Sequence, residues 1–233
     1  MSALLEARGL RKVFAGGDGQ PLEVLRGVEL EVHRGEFVAI VGASGAGKST
    51  LLHLLGALDR PTVGDVWLDG SRYADLDGTA LADLRNRKLG FVFQFHHLLR
   101  EFSALENVMM PLLIGGMAAL RARSRAEEVL SLVGLAGRMT HRPSELSGGE
   151  QQRCAVARAL VHDPGLVLAD EPSGNLDHAN ADRLHDVFFR LAREYETAVV
   201  VVTHNRQLTG RADRILMLED GRATAVGSVD AIP

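Results

Sequence analysis

The chain has 233 residues, 46% of them hydrophobic, which suits one domain or one core carrying an inserted lobe. Its 26 Lys and Arg are outnumbered by 30 Asp and Glu, and a net charge of −4 excludes the basic footprint of a nucleic-acid binder. The only cysteine, Cys154, excludes an intrachain disulfide and fits a reducing compartment.

A chain of this length buries roughly 70–75% of its unfolded surface and needs no covalent staples. The stretch Met1 to Arg8 has no long apolar run, so no signal peptide is expected. Leu4 to Phe14 and Val24 to Val32 read as strands around a turn at Gly16-Gly17-Asp18-Gly19. In the second of them Val28, Leu30 and Val32 alternate with Glu29 and Glu31, as in a half-buried strand. Phe14 precedes the turn, and its ring suits either the core or stacking on a base.

Phe37-Val38-Ala39-Ile40-Val41 is a buried strand running into Gly42-Ala43-Ser44-Gly45-Ala46-Gly47-Lys48-Ser49-Thr50, which fits G-x-x-x-x-G-K-[ST]. A helix from Ser49 to Leu55 completes the strand–loop–helix context that distinguishes a phosphate loop from an ordinary glycine turn. Its glycines let backbone N–H groups converge on phosphate oxygens, and the helix N-terminus faces the same oxygens. Lys48 reaches the β- and γ-phosphates, and the Ser49 hydroxyl is a ligand for Mg²⁺.

Further on, Asp65 to Leu68 is a short strand, Asp69-Gly70 a hairpin-type turn and Thr79 to Lys88 a helix. Gly90 to Phe93 is a strand ending at Gln94. From Phe95 to about Val161 no strand is expected, and the block reads as an inserted helical lobe. Ser103 and Glu106 form a capping box for a helix that should run to Met110, where Pro111 disturbs it. A second helix covers Arg121 to Val133 and closes at Gly134, and a third covers Gly149 to Leu160. The least polar stretch, Val108 to Leu120, is broken by Pro111, Gly115 and Gly116 and is too short to span a bilayer.

Sheet character returns at Leu166 to Ala169, ahead of Asp170-Glu171, and at Ala198 to Thr203, ahead of His204, with a helix at His178 to Glu196 between them. Ile215 to Leu218 and Ala223 to Val226 flank a turn at Asp220-Gly221. Strands alternating with helices give an α/β class with a largely parallel, doubly covered sheet. Ligands of such sheets bind beyond the strand carboxyl ends. There Asp170 suits Mg²⁺ and Glu171 suits orienting or deprotonating an attacking water; alone, the pair reads as a solvated turn. Ser147-Gly148-Gly149 before the third lobe helix is a second anion-binding helix start, or simply a Ser-capped helix.

With these motifs in this order, the whole chain resembles the ATP-binding subunits of ABC transporters. Leu146 to Arg153, LSGGEQQR, is similar to that family's signature, with Glu150 where Gln is common. Gln94 matches the Q-loop, Leu166 to Glu171 the Walker B segment with its catalytic glutamate, Ser173-Gly174-Asn175-Leu176-Asp177 the D-loop and His204 the switch histidine. The resemblance implies a P-loop NTPase (RecA-like) parallel core with N-terminal antiparallel strands and an inserted α-helical subdomain. The core would be 1–94 and 162–233, and the subdomain 95–161. It implies ATP and Mg²⁺, with Glu171, His204, Gln94 and Lys48 in catalysis, and Ser49, Gln94 and Asp170 toward the metal. Phe14 falls at the adenine-stacking position, commonly Tyr, and Gly42 to Thr50 with a partner's Ser147, Gly148 and Gly149 would hold the nucleotide in a head-to-tail homodimer.

Within that family, Phe91 to Leu99 and Leu105 to Ile114 resemble the ATPase of bacterial lipoprotein-releasing exporters, in a group that includes macrolide-efflux and cell-division ATPases. Membrane subunits would dock on the helical lobe near Phe95 to Met110. The chain would then reach the cytoplasmic face of the inner membrane only through them. His96-His97 is not expected to form a metal site, because adjacent histidines rarely converge on one ion. An exporter motor and a regulatory ATPase that transmits force without transport share this chemistry. A soluble DNA-repair or translation ABC protein fits less, since no coiled-coil insertion or second ATPase unit is present.

Overall fold

The structure, a computed structural model, describes residues 3–17 and 19–227. Met1 and Ser2 of the N-terminal stretch, Asp18 of the glycine turn and residues 228–233 of the expected core lie outside the described residues.

Strands β1 (Leu5–Ala15) and β2 (Pro21–Val32) open the chain as an antiparallel pair. Val28, Leu30 and Val32 are buried and Glu29 and Glu31 exposed, as the alternation requires. After β3 (Phe37–Val41) and α1 (Lys48–Leu55), β4 (Val63–Leu68) pairs with β1 and with the short β5 (Ser71–Arg72). Asp69 and Gly70 join β4 to β5 with φ of 51° and 78°, the left-handed pair that a two-residue hairpin turn needs. This sheet is ordered β2-β1-β4-β5.

The second sheet follows the order β10-β9-β3-β8-β7-β6, with β6 (Leu89–Phe93), β7 (Leu166–Asp170), β8 (Ala198–Val202), β9 (Arg214–Glu219) and β10 (Arg222–Val226). All its pairs are parallel except β9 with β10. β3 and β8 are buried at every position, because both faces of the sheet are covered. The period-two pleat divides the core in two. Val38, Ile40, Leu168 and Val200 pack with α1 and the antiparallel sheet, while Phe37, Ala39, Val167 and Val201 face the other layer.

That other layer includes α6 (His178–Glu194) and the three helices inserted between β6 and β7. These are α3 (Ala104–Ile114), α4 (Ala119–Leu132) and α5 (Gly148–Leu160). The expected end of α3 at Met110 is corrected: the helix passes through Pro111 to Ile114. Proline removes one ladder bond, but Val108 and Leu112, on either side, are fully buried and keep the helix seated. Gly134, at φ 74°, ends α4 as expected. The remaining α-helices among the described residues are α2 (Gly78–Lys88) and α7 (Arg206–Gly210). α7 is not foreseen from the sequence; it is five residues long and capped by the Asn205 side chain.

Candidate active site

Strand register gathers the expected catalytic residues on one edge. Ile40 pairs with Val202, Val202 with Asp170, and Asp170 with Phe93. The residues just past these positions, Gly42 onward, His204, Glu171 and Gln94, therefore leave the same carboxyl edge of the sheet.

Gly42 sits so close to β9 that a Cβ on it would lie 2.2 Å from the Leu218 carbonyl oxygen. Gly47 takes φ 99° and ends the loop at the first residue of α1, whose N-terminus has no side-chain cap. The N–H groups of that first turn thus remain for a ligand. Lys48 turns back over the loop, and its ammonium donates to the Gly42 and Ala43 carbonyls at 2.8 and 2.9 Å. Ala43, Ser44 and Gly45 are exposed, as is Ser49, while Ala46 and Thr50 are half-buried.

Asp170 is half-buried at the end of β7. Glu171 follows with φ 44°, and its N–H donates to the Val202 carbonyl at 2.9 Å. This left-handed step re-aims the Glu171 carboxylate, whose Oε1 lies 2.8 Å from His204 Nδ1. The Glu171 side chain is 18% exposed and that of His204 82%. The carboxylate is therefore fixed from behind while the imidazole stays open to solvent. On the neighbouring strand end, the Gln94 carbonyl accepts from Asn175 Nδ2 at 3.2 Å. A Cβ on Gly174 would lie 3.3 Å from Gln94 Nε2, so this loop glycine admits the Gln94 side chain.

No group of three His, Cys, Asp or Glu side chains that could hold a metal occurs among the described residues. Ser49, Gln94 and Asp170 instead offer hydroxyl, amide and carboxylate oxygens. One carboxylate with neutral oxygens and substrate phosphates suits Mg²⁺, a hard cation that keeps few protein ligands. His96-His97 gains no ligand partner. His97 edges onto Phe93 at 5.6 Å between ring centroids, and His96 contacts Gln152.

Phe14 is 40% exposed, which removes the core reading of this residue, and Lys12 Nζ lies 5.0 Å from its ring centroid. Ser147, Gly148 and Gly149 lie on a different element from the phosphate loop. They begin α5, which packs on α3, α4, α6 and β6, whereas α1 packs on β2, β7 and β8. Ser147 accepts from the Glu150 N–H at 3.3 Å, and the Glu150 carboxylate accepts from the Ser147 N–H at 2.8 Å. Arg138, 2.8 Å from Glu150, and the Ser147 N–H hold the Glu150 pKa down at about 2.

The supporting roles of three groups are not foreseen from the sequence. Arg158 donates to the His96 and His97 carbonyls at 2.9 and 2.8 Å. Gln152 is buried beneath the same turn. His185 on α6 meets the Ser173 hydroxyl at 3.0 Å, and burial holds its pKa down. The one available signal was periodicity: Gly149, Gln152 and Val156 share the inward face of α5, so a polar residue occupies a core position. Cys154 is buried too, and desolvation pushes its thiol up to about 12, which leaves it unreactive.

Comparison with known proteins shows what the chain is similar to. The family described as ABC transporter matches residues 25–174. The lipoprotein-releasing system ATP-binding protein LolD of Geobacter metallireducens is 54% identical over 225 residues, 97% of this chain and 100% of that protein. The LolD protein of Pseudomonas syringae pv. tomato is 56% identical over 220 residues, 94% of this chain and 96% of its own length. Among solved structures, a dimeric ATP-binding cassette in a post-hydrolysis state with ADP and Pi has a TM-score of 0.87. It is 38% identical, and the match covers 94% of this chain and 96% of that one.

Proposed function

The chain belongs to the ABC transporter family as an ATP-hydrolysing, nucleotide-binding subunit, and from that premise we propose that it works as a homodimer driving membrane subunits in lipoprotein release from the inner membrane. Similarity over essentially the full length of lipoprotein-releasing ATPases supports the cargo class. The contact between Glu171 and His204 carries the catalytic reading.

In this reading, ATP lies along the loop from Gly42 to Thr50 with its adenine on Phe14. Lys48 exchanges the Gly42 and Ala43 carbonyls for β- and γ-phosphate oxygens, so acceptors replace acceptors and the ammonium stays satisfied. Ser49, Asp170 and Gln94 would hold Mg²⁺, which would supply positive charge against the charge developing on the phosphates. Glu171 orients or deprotonates the attacking water, and His204 donates to the γ-phosphate as negative charge grows there. Ser147, Gly148 and Gly149 act on the nucleotide of the second subunit.

Residues 1–94 and 162–233 form the nucleotide-binding core in this reading, and 95–161 the helical subdomain. No helix among the described residues is long and apolar enough to cross a membrane. Contact with the cytoplasmic face of the membrane is therefore assigned to partner subunits. They dock on the helical lobe near Phe95 to Met110, where Phe95, Leu99 and Phe102 are exposed.

Glu171→Gln tests the assignment. Glutamine keeps the shape of the side chain but takes no proton. Turnover should fall by about two to three orders of magnitude, the equivalent of roughly 3–4 kcal/mol of transition-state stabilisation. ATP should stay bound and the dimer should accumulate in size-exclusion chromatography with Mg²⁺-ATP. Wild-type turnover, or a monomer at every ATP concentration, would overturn it. Reconstitution with the membrane subunits and assay of released lipoprotein tests the cargo.

A further inference from the structure

Gln152 is 1% exposed on α5, and Cys154, Ala155 and Val156 on the same helix are buried with it. Its amide touches three residues on two separate segments. Nε2 donates to the Pro172 carbonyl at 2.7 Å and to the Phe93 carbonyl at 3.3 Å, and Oε1 faces His96 Nδ1. The two carbonyls only accept, so the amide nitrogen must face them. Oε1 is then left for His96, whose Nδ1 must carry the proton and donate it. Phe93 immediately precedes Gln94, and Pro172 immediately follows Glu171. Arg158, on the same helix, holds the far side of the turn through the His96 and His97 carbonyls.

We propose that Gln152 is a positioning residue that couples the two nucleotide sites to which each chain contributes, with His96 locking its orientation. The proposal rests on the reading that Ser147 to Gly149 act on the neighbour's nucleotide. Those residues form the first turn of α5, and Gln152 lies one turn later on the same rigid helix. A shift of α5 toward the neighbour's γ-phosphate is passed by one buried amide to the backbone beside Gln94 and Glu171. These two face the chain's own nucleotide. Water cannot replace these bonds at a buried site, so the segments move together or leave polar groups unpaired.

The test is steady-state ATP hydrolysis by the full-length chain against ATP concentration. Gln152→Leu keeps the volume and removes every bond. It should lower kcat about tenfold or more, leave KM within about threefold, and bring a Hill coefficient above 1 down to 1. His96→Ala should lower kcat about three- to tenfold, and His96→Asn, whose amide nitrogen stands near the Nδ1 position, should restore most of it. A merely structural role would lower thermal stability without splitting kcat from KM and without rescue by Asn. If Gln152→Leu does not fold, Gln152→Glu, which places an acceptor against both carbonyls, takes its place beside the His96 pair. Unchanged kcat and Hill coefficient in folded variants of a chain that dimerises with ATP, or His96→Asn no better than His96→Ala, would overturn the coupling alone. A wild-type Hill coefficient of 1 with no ATP-driven Glu171→Gln dimer would overturn the dimer reading and the coupling with it.

Discussion

The two helix N-termini assigned to phosphate, those of α1 and α5, are built in opposite ways. α1 has a glycine N-cap at φ 99°, no side-chain cap and no acid in its first turn, with Lys48 as its first residue. α5 has a complete capping box between Ser147 and Glu150, and Glu150 is itself an anion at the positive helix end. The first end leaves its donors for a ligand and adds a cation. The second satisfies itself and adds a negative charge. A helix end served by its own chain's ligand can stay uncapped, whereas one that waits for a ligand on another chain has to be stable alone. The glycines differ likewise. A Cβ on Gly47 would meet Val24 and Leu25 at 2.9–3.1 Å, while a Cβ on Gly148 would meet nothing within 4 Å. Gly47 is required by the fold, but no neighbour among the described residues requires Gly148.

The strongest way to break this contrast is Lys48→Ala. Loss of the cation at the α1 end should reduce ATP hydrolysis by about three orders of magnitude and weaken ATP binding, a transition-state loss of roughly 4 kcal/mol. Near-normal turnover in a purified variant would deny α1 its role.

Gly148→Asp places a second anion at the α5 end without steric cost inside the chain. Thermal stability should stay near wild type. ATP-driven dimerisation should weaken about tenfold or more, since each 1.4 kcal/mol of repulsion is a factor of ten. Mixing this variant with Lys48→Ala should recover part of the activity through one composite site. No recovery at any ratio, together with no mixed-dimer crosslink, would place both helix ends on separate functions.

Glu150→Gln should have a smaller effect of mixed sign. The helix loses a favourable charge worth about 0.3–1 kcal/mol, so the unfolding midpoint should fall slightly. The approach of a partner's γ-phosphate loses a like charge, so dimer affinity should rise about two- to fivefold. A weaker dimer would mean that the Glu150 carboxylate supports the closed state rather than opposing it.

The smallest effect concerns pH. The folded pKa of Glu150 is held at about 2, below its ordinary 4.5, by Arg138 and the Ser147 N–H. A depressed carboxylate stabilises above its unfolded pKa, and that stabilisation is lost as pH falls from about 4.5 toward 2. Amide exchange in the first turn of α5 should accelerate across that window relative to α1, which has no carboxylate cap to lose. Equal acceleration at both ends would show global acid unfolding instead.

What was legible in the sequence follows from how local each feature is. The residues from Gly42 to Thr50 are consecutive, and their conformation is written in their own glycines. The alternation of Val28, Leu30 and Val32 and the capping box of Ser103 and Glu106 are likewise set by near neighbours and appear in the structure as expected. Pro111 misled because its local cost is offset by non-local packing of Val108 and Leu112. Gln152 is legible as part of LSGGEQQR, but its burial is not, because a polar residue gives no hydrophobic signal.

By itself the sequence determined most element types and their order, and the residue types able to bind phosphate and metal, because helix capping, turn chemistry and strand pattern act over a few residues. Only the tertiary structure decided which groups meet. Glu171 and His204 are 33 residues apart, and they touch because β7 and β8 pair in one parallel register, with Asp170 opposite Val202. A one-residue slip would turn the side chains of one strand to the opposite face. The physical reason is that register is fixed by burial of both faces of the sheet at once. That sum over many distant side chains is not encoded in any single stretch of the chain.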